Sequence, residues 1–363
     1  MSVVRRLPGV TAPTSSGPLA LSVLDLLPVR SGQSSGDALR AGVALAQVAD
    51  RGGYRRYWVA EHHNMPAVAA TNPPVVIAMV AGATSRIRVG SGGVMLPNHA
   101  PLVVAEQFAL LEAAYPGRVD LGIGRAPGSD PVTGWALRHG GPVGDGAEAD
   151  AVSRFPEHVE NVMAMMNPGG VGLALSGREY ELRATPQARS APPVWLLGSS
   201  DYSARLAAQL GLPYVFAHHF SGNGTAEALA LYRESFQPGA VDAPTTFLTV
   251  NACVAETDAD ARRLARPNAL SMVALRTGAP LRPQATVEEA AAVTLPEEHE
   301  LLAEAMLRRW VVGTPAAARE RVAELAATYD VDEVMVHPVA GSSADDDPSR
   351  SANRERTLEL LVA

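Results

Sequence analysis

The sequence contains no lysine and a single cysteine, Cys253, among its 363 residues. One cysteine excludes a disulfide framework and any multi-cysteine metal site, and it fits a reducing cytoplasm. The net charge is −8 and the arginines are scattered, so the basic surface of a nucleic-acid-binding protein is missing. No apolar run approaches the length of a membrane span, and the stretch from Leu7 to Pro18 lacks the apolar segment of an export signal. We therefore expect a cytoplasmic protein with no nucleic-acid or membrane partner.

Apolar residues make up 47% of the chain and charged residues 19%, which is ample material for one large core. Short β-branched runs alternate with longer helix-patterned stretches, a pattern that predicts βαβ units and a parallel sheet. Eight strands are predicted, at Leu19–Leu26, Arg56–Ala60, Ile87–Gly90, Val119–Ile123, Pro193–Leu197, Tyr214–Ala217, Thr246–Val254 and Glu333–Val336. Seven helices are predicted between and after them, at Asp37–Arg51, Pro73–Ser85, Pro101–Ala114, Ser200–Leu210, Thr225–Phe236, Asp258–Met272 and Pro315–Thr328.

The first predicted strand is not followed by the glycine fingerprint of a dinucleotide-binding sheet. Eight strands with interposed helices therefore favour a closed (β/α)₈ barrel over an open doubly wound sheet. We predict an N-terminal arm at residues 1–18 and a single α/β domain, a TIM barrel, at residues 19–363. Two connections, Ala126–Val152 and Arg276–Leu295, are longer than usual, and such loops are commonly functional. We expect both on the catalytic face, with residues 276–295 acting as a mobile lid.

Barrel enzymes place their sites at the carboxyl ends of the strands, so the residues that follow each predicted strand are the candidates. Five of the nine histidines, counting the two adjacent pairs and His337, fall directly at such strand ends, which is more than scattered placement would give. The candidates are Asp25, Glu61 to Asn64, Gly92 and Gly93, Pro97 to His99, Arg125, Gly198 to Ser200, His218 and His219, Asn251 or Cys253, and His337.

Arg125 and the segment from Gly198 to Tyr202 suggest a phosphate site. A serine-rich turn that opens a helix offers backbone N–H groups and hydroxyls to a phosphate, and an arginine on the neighbouring strand can complete the contact. The alternative is a plain serine N-cap at Ser199 or Ser200, with Arg125 in a surface ion pair.

The run Glu61-His62-His63 has several interpretations. One histidine can be an acid/base group, because an imidazole titrates near neutral pH, or it can be a satisfied structural side chain. A metal site is disfavoured, because adjacent residues of a strand point to opposite faces and no helical His spacing supplies a third ligand. The pair Gly92-Gly93 is either a bulge that lets a planar ligand approach the backbone or a kink at a barrel corner.

Five segments occur in an order that resembles a known family. They are Trp58 to His63, Thr71 to Pro74, Val89 to Pro97, Gly117 to Arg125, and Val312 to Pro315 followed by Asp332 to Met335. Together they resemble the bacterial-luciferase-like flavin-dependent monooxygenases of the stand-alone type, and the resemblance covers the chain from about Leu19 to Val336.

The resemblance implies an FMN that lies across the barrel mouth, with its phosphate held by Arg125 and the turn from Ser199 to Tyr202. It implies a cis peptide bond between Gly92 and Gly93 beneath the flavin ring, and it matches His62 to the family's catalytic histidine. The full set of expected cofactor contacts is Asp25, Glu61, Gly92, Gly93, Arg125, Gly198, Ser199, Ser200 and Tyr202.

The implied reaction uses reduced FMN and O₂ to insert one oxygen atom into a small organic substrate. We expect an aromatic or polyketide natural product, as in antibiotic biosynthesis. Because no nicotinamide fingerprint is visible, a separate NAD(P)H:flavin reductase is the expected partner. The family also implies a homodimer, with the helix Pro73–Ser85 or Pro101–Ala114 as its interface, and no metal.

One position departs from the family pattern. Gly124 stands where true luciferases carry a reactive cysteine, which argues against light emission but not against flavin binding. Two alternatives remain open: a deazaflavin (F420)-dependent hydride-transfer enzyme on the same barrel, and a non-catalytic flavin-binding subunit.

Overall fold

The barrel of this protein is a closed ring of eight parallel strands. The computed structural model describes residues 18–126, 130–138 and 152–363. The strands are β1 (Ala20–Asp25), β2 (Arg56–Val59), β3 (Arg88–Ser91), β4 (Val94–Met95), β5 (Val119–Gly124), β6 (Val171–Leu175), β7 (Arg178–Leu182), β8 (Val194–Gly198), β9 (Tyr214–Phe216), β10 (Thr246–Val254), β11 (Val311–Gly313) and β12 (Glu333–Pro338). The ring runs β1-β2-β3-β5-β8-β9-β10-β12, and β12 pairs with β1 to close it. The predicted TIM barrel is confirmed, and each of its strands overlaps one of the eight predicted from the sequence.

Four further strands lie outside the ring. The two-residue strand β4 continues β3 after Gly92 and Gly93 and pairs with β5. The strands β6 and β7 form a separate antiparallel hairpin, and β11 pairs with the end of β10. The hairpin carries mostly exposed side chains, among them Leu175 and Tyr180, so it shows no buried-strand pattern in the sequence.

The helices lie between the strands, apart from the last one, which follows β12. They are α1 (Ser35–Arg51), α2 (Pro73–Ala83), α3 (Pro101–Ala114), α4 (Pro131–Leu137), α5 (Phe155–Met166), α6 (Asp201–Leu210), α7 (His218–Ser221), α8 (Thr225–Ser235), α9 (Asp258–Arg276), α10 (Val287–Ala292), α11 (Glu297–Leu307), α12 (Pro315–Tyr329) and α13 (Ala352–Val362). Local signals start several of them: Ser34 and Asp37 form a capping box at α1, and proline occupies the first turn of α2, α3 and α12. The prediction ended the sixth helix at Met272, whereas α9 continues to Arg276 with Pro267 inside it.

A buried ion network fills the amino-terminal end of the barrel. Arg56 Nε lies 2.7 Å from Glu333 Oε1, and Arg56 Nη1 lies 2.9 Å from Asp120 Oδ2. Trp58 donates to Asp120 at 3.0 Å and Ser22 to Glu333 at 2.6 Å. Arg56, Asp120 and Glu333 of this basal ion network are buried. The more exposed Arg88 and Arg55 also pair with Asp120 and Glu333, respectively. The interior above them is packed with Leu24, Trp58, Trp195, Val215, Phe247 and Met335, so this end is closed.

Of the two long connections, the first lies partly outside the described residues and the second lies wholly within them. Of Ala126–Val152, the structure describes 126, 130–138 and 152; of the predicted arm it describes only Pro18. In Arg276–Leu295, a capping box of Thr286 and Glu289 starts α10, and Gln284 bridges to Arg30 in the loop after β1. That contact places the segment at the carboxyl end of the barrel, and its movement as a lid stays a prediction. In the part of the chain that the structure describes, no helix is both long and apolar enough to cross a membrane.

Candidate functional site

The carboxyl end of the barrel opens into a cavity of about 350 Å³. Its wall is mostly apolar, with Leu24, Trp58, Leu197, Met272 and Met335 among the side chains that line it. Of the predicted catalytic and cofactor-contact residues, the structure brings eight to this wall: Glu61, His62, Gly92, Gly93, Arg125, Gly198, Ser199 and Ser200. Three of the other strand-end candidates, His219, Asn251 and His337, also line it.

One side of the cavity carries the positively charged group. The Arg125 guanidinium lies 4.0 Å from the ring centre of Tyr202, and among the described residues no carboxylate pairs with it. Ser200 caps α6 without a side-chain hydrogen bond to the helix, so the first N–H groups of α6 have no side-chain cap. We call Arg125, Ser199 and Ser200 the anion cradle, because a cation and uncapped helix N–H groups together favour an anion. The alternative of a surface ion pair for Arg125 finds no partner in the described part of the chain.

Gly198 is needed for this geometry. A Cβ atom at Gly198 would lie 2.4 Å from Ser203 Oγ, well inside van der Waals contact. The absence of a side chain lets the end of β8 approach α6 closely, and it keeps Ser199 and Ser200 at the rim of the cavity.

Two glycines form a flat wall next to the cradle. The peptide bond between Gly92 and Gly93 is cis, as the family resemblance implies. A Cβ at Gly92 would lie 2.8 Å from Leu24 Cδ1, and one at Gly93 would lie 2.8 Å from the carbonyl oxygen of Gly122. We call this pair the glycine wall. It presents bare backbone to the cavity, which suits the face of a planar ring.

Glu61 binds two imidazoles. Its Oε1 lies 2.7 Å from His63 Nε2 and 2.6 Å from His99 Nε2, and its Oε2 accepts from the Met95 amide at 3.0 Å. Burial raises the pKa of Glu61, but these hydrogen bonds outweigh burial and lower that pKa to about 2. The ligand atoms of Glu61, His63 and His99 lie within 4.8 Å of one another, a convergence that the sequence spacing did not reveal. Hydrogen bonds account for this convergence, and the absence of a metal stays a prediction.

His62 lines the cavity beside this cluster. Its backbone N–H donates to Ala70 at 2.9 Å, and its buried Nδ1 has no hydrogen-bond partner in the described residues. Burial lowers the pKa of His62, the Glu61 carboxylate opposes that shift, and His63 adds to it. The imidazole is therefore neutral near pH 7 and able to take up a proton from a bound molecule.

The opposite wall holds a second set of imidazoles. His337 Nδ1 lies 2.9 Å from Asn251 Oδ1, and His219 Nδ1 lies 2.8 Å from Thr249 Oγ1. Burial, His218 and His62 lower the pKa of His219 to about 4. Burial and the nearby charge of Arg354 hold the pKa of His337 well below its usual range. Both rings line the same cavity as His62.

Two predicted contacts lie elsewhere. Asp25 is fully buried beside the cavity rather than on its wall: it accepts from the Leu27 amide at 2.8 Å and pairs with Arg354 at 2.5 Å, and it also accepts from the Tyr57 hydroxyl. These contacts satisfy its carboxylate, and Asp25 is not among the residues that line the cavity. Its contact with a cofactor stays a prediction. Tyr202 is not among the residues that line the cavity, and its ring packs against the Arg125 guanidinium.

Sequence reasoning missed the lining residues that come from helices. Asn268, Met272 and Leu275 reach the cavity from α9, and Phe220 reaches it from α7. The strand-end rule does not cover them, because α9 follows the long strand β10 and crosses over the mouth. The only sequence signal for these residues was the unusual length of the loop predicted after Met272, the first part of which belongs to α9.

Comparison with known proteins gives a consistent result. The family model for luciferase-like monooxygenases matches residues 20–331. An uncharacterized protein YvbT of Bacillus subtilis is 41% identical over 94% of this chain and 95% of its own length. A luciferase-like monooxygenase of Escherichia coli K12 is 39% identical over 88% of this chain and 91% of its own. The crystal structure of apo-MsnO8 superposes with a TM-score of 0.80 at 34% identity and covers 95% of this chain and 97% of that one.

More distant structures share the fold alone. A type II Baeyer–Villiger monooxygenase from Pseudomonas putida, in complex with FMN, has a TM-score of 0.66 at 20% identity and covers 95% of this chain and 97% of its own. An F420-dependent secondary alcohol dehydrogenase has a TM-score of 0.62 at 14% identity, with 95% and 99% coverage. The same fold therefore occurs in an FMN-bound enzyme and in an F420-dependent enzyme.

Proposed function

This chain belongs to the luciferase-like monooxygenase family, and from that premise we propose that it uses reduced FMN and O₂ to insert one oxygen atom into a small organic substrate. The observation that carries the proposal is the arrangement of one cavity: the anion cradle, the glycine wall and His62 all face it. A phosphate-bearing planar cofactor needs an anion site and a flat contact surface, and both are present at neighbouring strand ends.

The residues of the cavity fit an FMN by shape and charge. Arg125, Ser199 and Ser200 would hold its phosphate, because the described part of the chain offers the guanidinium no carboxylate partner. The glycine wall would face the ring, since a side chain at either glycine would collide with the neighbouring strand or with Leu24. Bound and reduced, FMN supplies the electrons for the reaction with O₂.

His62 and the apolar wall perform the remaining tasks. His62 takes up or returns a proton as oxygen is transferred, because its lowered pKa leaves it neutral and its Nδ1 has no partner in the described residues. An apolar part of the wall excludes water; it consists of Leu24, Leu197, Met272 and Met335. Exclusion of water prevents the hydrolysis or unproductive protonation of reactive intermediates. Glu61 stays ionised and holds His63 and His99 in place beside His62.

The test is an anaerobic mixing experiment. FMN is reduced without oxygen, combined with the purified chain and mixed with aerated buffer while the flavin absorbance is recorded. We expect a protein-dependent transient spectrum before oxidised FMN returns, and no such transient with free flavin. A direct return to oxidised FMN, together with tight binding of F420 in a parallel titration, would replace this proposal by hydride transfer on the same barrel.

Removal of the cradle's cation gives a selective loss of affinity. Arg125→Ala is expected to raise the dissociation constant of FMN roughly 10- to 100-fold, because charge-assisted hydrogen bonds contribute about 1.5–3 kcal/mol. Riboflavin lacks the phosphate, so its binding should change little. Flavin fluorescence titrations measure both ligands. Arg205→Ala is the matched control, because Arg205 is an exposed arginine of α6 that pairs with Asp201. An equal loss for riboflavin would mean that Arg125 does not bind the phosphate.

We propose a homodimer through α2 and α3. The helix α2 has no charged residue, and Val75 and Met79 are 58% and 41% exposed on it; Leu110 of α3 is 56% exposed. A helix that is apolar on all sides is usually buried, so its outer face needs a partner. A second copy of this chain satisfies that need.

Leu110→Glu tests the interface. A carboxylate in an apolar interface costs several kcal/mol of association, so the variant is expected to be monomeric at micromolar concentrations where the unaltered chain is dimeric. Sedimentation velocity measures both. Leu301→Glu, on the 62% exposed Leu301 of α11, should leave the dimer intact. Equal behaviour of the two variants would place the interface elsewhere.

The remaining expectations also belong to this proposal. A separate NAD(P)H:flavin reductase would supply reduced FMN, because the sequence carries no nicotinamide fingerprint. A cytoplasmic location fits the single cysteine: burial raises the pKa of the Cys253 thiol to about 12, so it stays an inert thiol. An aromatic or polyketide natural product remains the proposed class of substrate.

A further inference from the structure

Two imidazoles lie on the wall of the cavity that is opposite the proposed cofactor contacts. In the strand order of the ring, β9, β10 and β12 lie opposite β2, β3 and β5. His219 follows β9 and His337 belongs to β12, whereas the glycine wall follows β3 and Arg125 follows β5. The centres of the two rings are 6.3 Å apart, at an angle of 76°. A molecule between the walls therefore meets the glycines on one side and both histidines on the other.

Hydrogen bonds fix the tautomer of His337. Asn251 Nδ2 donates to the His219 carbonyl oxygen at 2.9 Å, and a carbonyl oxygen can only accept. The orientation of the Asn251 amide is thereby set, so its oxygen faces His337 Nδ1 at 2.9 Å. An amide oxygen only accepts, so His337 Nδ1 carries the proton. The other ring nitrogen, Nε2, is left with a free lone pair.

The same reasoning applies to His219. Thr249 Oγ1 donates its one proton to the Phe216 carbonyl oxygen at 3.1 Å. Having used that proton, Thr249 Oγ1 can only accept from His219 Nδ1, 2.8 Å away. His219 is therefore also protonated at Nδ1, and its Nε2 is an acceptor.

Both acceptors are available to a ligand. The rings line the cavity, and among the described residues neither Nε2 has a hydrogen-bond partner. Burial is the main reason that the pKa of each ring lies far below neutrality, so neither imidazole becomes a donor at physiological pH. The wall thus presents two hydrogen-bond acceptors in an otherwise apolar surface.

We propose that His219 and His337 form a paired acceptor site that selects substrates presenting hydroxyl donors, of the phenol or enol class, against their ethers and against carboxylates. An ether offers no donor, and a carboxylate brings negative charge to two lone pairs, so both leave the acceptors unsatisfied. The inference deepens the proposed monooxygenase function by naming the chemistry of its substrate, and it rests on that function only for the claim that the ligand is oxidised.

The first experiment tests the tautomers directly. The full chain is labelled with ¹⁵N at histidine, and two-bond proton–nitrogen correlation spectra are recorded at pH 7, with and without FMN. His219→Gln and His337→Gln assign the two signals. We expect both rings to be neutral and protonated at Nδ1. A proton on Nε2 of either ring would overturn the proposal.

The second experiment tests selection. Calorimetry compares 1,3-dihydroxynaphthalene with 1,3-dimethoxynaphthalene, with and without FMN. Two net hydrogen bonds predict roughly thirtyfold tighter binding of the diol. His337→Leu and His219→Leu should each reduce that ratio to about fivefold. His337→Gln and His219→Gln retain an acceptor oxygen and should restore most of the ratio, while circular dichroism checks that each variant is folded.

The outcomes separate this inference from the proposed function. A diol preference near one in the unaltered chain, or a preference that survives both leucine variants, would overturn the paired acceptor site whatever the oxygen assay gives. A preference that follows the histidines supports the site, even if the anaerobic mixing experiment shows no transient. A missing transient together with such a preference would reject oxygen insertion but would still support the proposed class of substrate.

Discussion

His62→Ala is expected to slow substrate oxygenation by roughly 10²- to 10⁴-fold, the range that a positioned general acid or base contributes. The dissociation constant of FMN should change by less than about twofold, because the cradle and the glycine wall do not depend on this side chain. Burial lowers the pKa of His62, so the ring is neutral and can take up a proton at pH 7. Single-turnover product formation with excess reduced FMN measures the effect without interference from a reductase.

The matched control is His299→Ala, which removes a histidine of α11 far from the cavity and should leave turnover unchanged. Added imidazole should partly restore His62→Ala, because a small base can occupy the vacated space. Unchanged turnover in His62→Ala would contradict the catalytic role. No product from the unaltered chain, with flavin still bound, would instead favour the non-catalytic flavin-binding subunit.

Arg56→Leu is expected to lower the free energy of unfolding by about 1.5–3 kcal/mol, because the buried carboxylates of Asp120 and Glu333 lose their buried partner. Asp120 then keeps only Arg88 and Glu333 only Arg55, and both of these arginines are more exposed than Arg56. The guanidinium also lies 4.8 Å from the centre of the Trp195 ring, so its loss removes a cation–π contact as well. Urea unfolding followed by circular dichroism measures the change through the transition midpoint.

Three further variants make this result interpretable. Arg56→Lys keeps the charge but cannot contact both carboxylates at once, so its free energy of unfolding should lie between those of the unaltered chain and Arg56→Leu. It also keeps the prediction testable if the leucine variant does not fold. Arg56→Leu combined with Asp120→Asn and Glu333→Gln should recover part of the loss. Arg40→Ala, on an exposed arginine, should change the free energy by less than about 0.5 kcal/mol. A change below about 1 kcal/mol in Arg56→Leu would mean that the network is hydrated or dispensable.

The barrel strands could be predicted because burial on both faces leaves a continuous apolar record. All nine residues of β10, Thr246–Val254, are buried, and the prediction gave the same bounds. The starts of helices could also be predicted where a proline or a capping residue marks the first turn, as at Pro315. The hairpin of β6 and β7 was missed because most of its side chains are exposed and leave no such record.

The site was predictable as far as it follows from strand ends. His62 and Arg125 lie on the cavity wall as that rule requires. Asp25 also follows a strand, but its carboxylate is paired with Arg354, which is 329 residues away, and no local sequence pattern indicates that pairing. The tautomer of His337 depends on the orientation of Asn251, and that of His219 depends on the hydrogen bond that Thr249 donates. Only three-dimensional contacts determine either.

The basal ion network joins residues made at very different times. Glu333 lies 277 positions after Arg56 in the chain. At a synthesis rate of roughly 5–20 residues per second, about 14–55 seconds separate the two on the ribosome. Throughout that interval the first strands can associate, but their arginine lacks the carboxylate of the last strand, so the ring stays open. An unfinished barrel of this kind exposes its strand edges, and we expect nascent chains that stop before residue 333 to recruit chaperones.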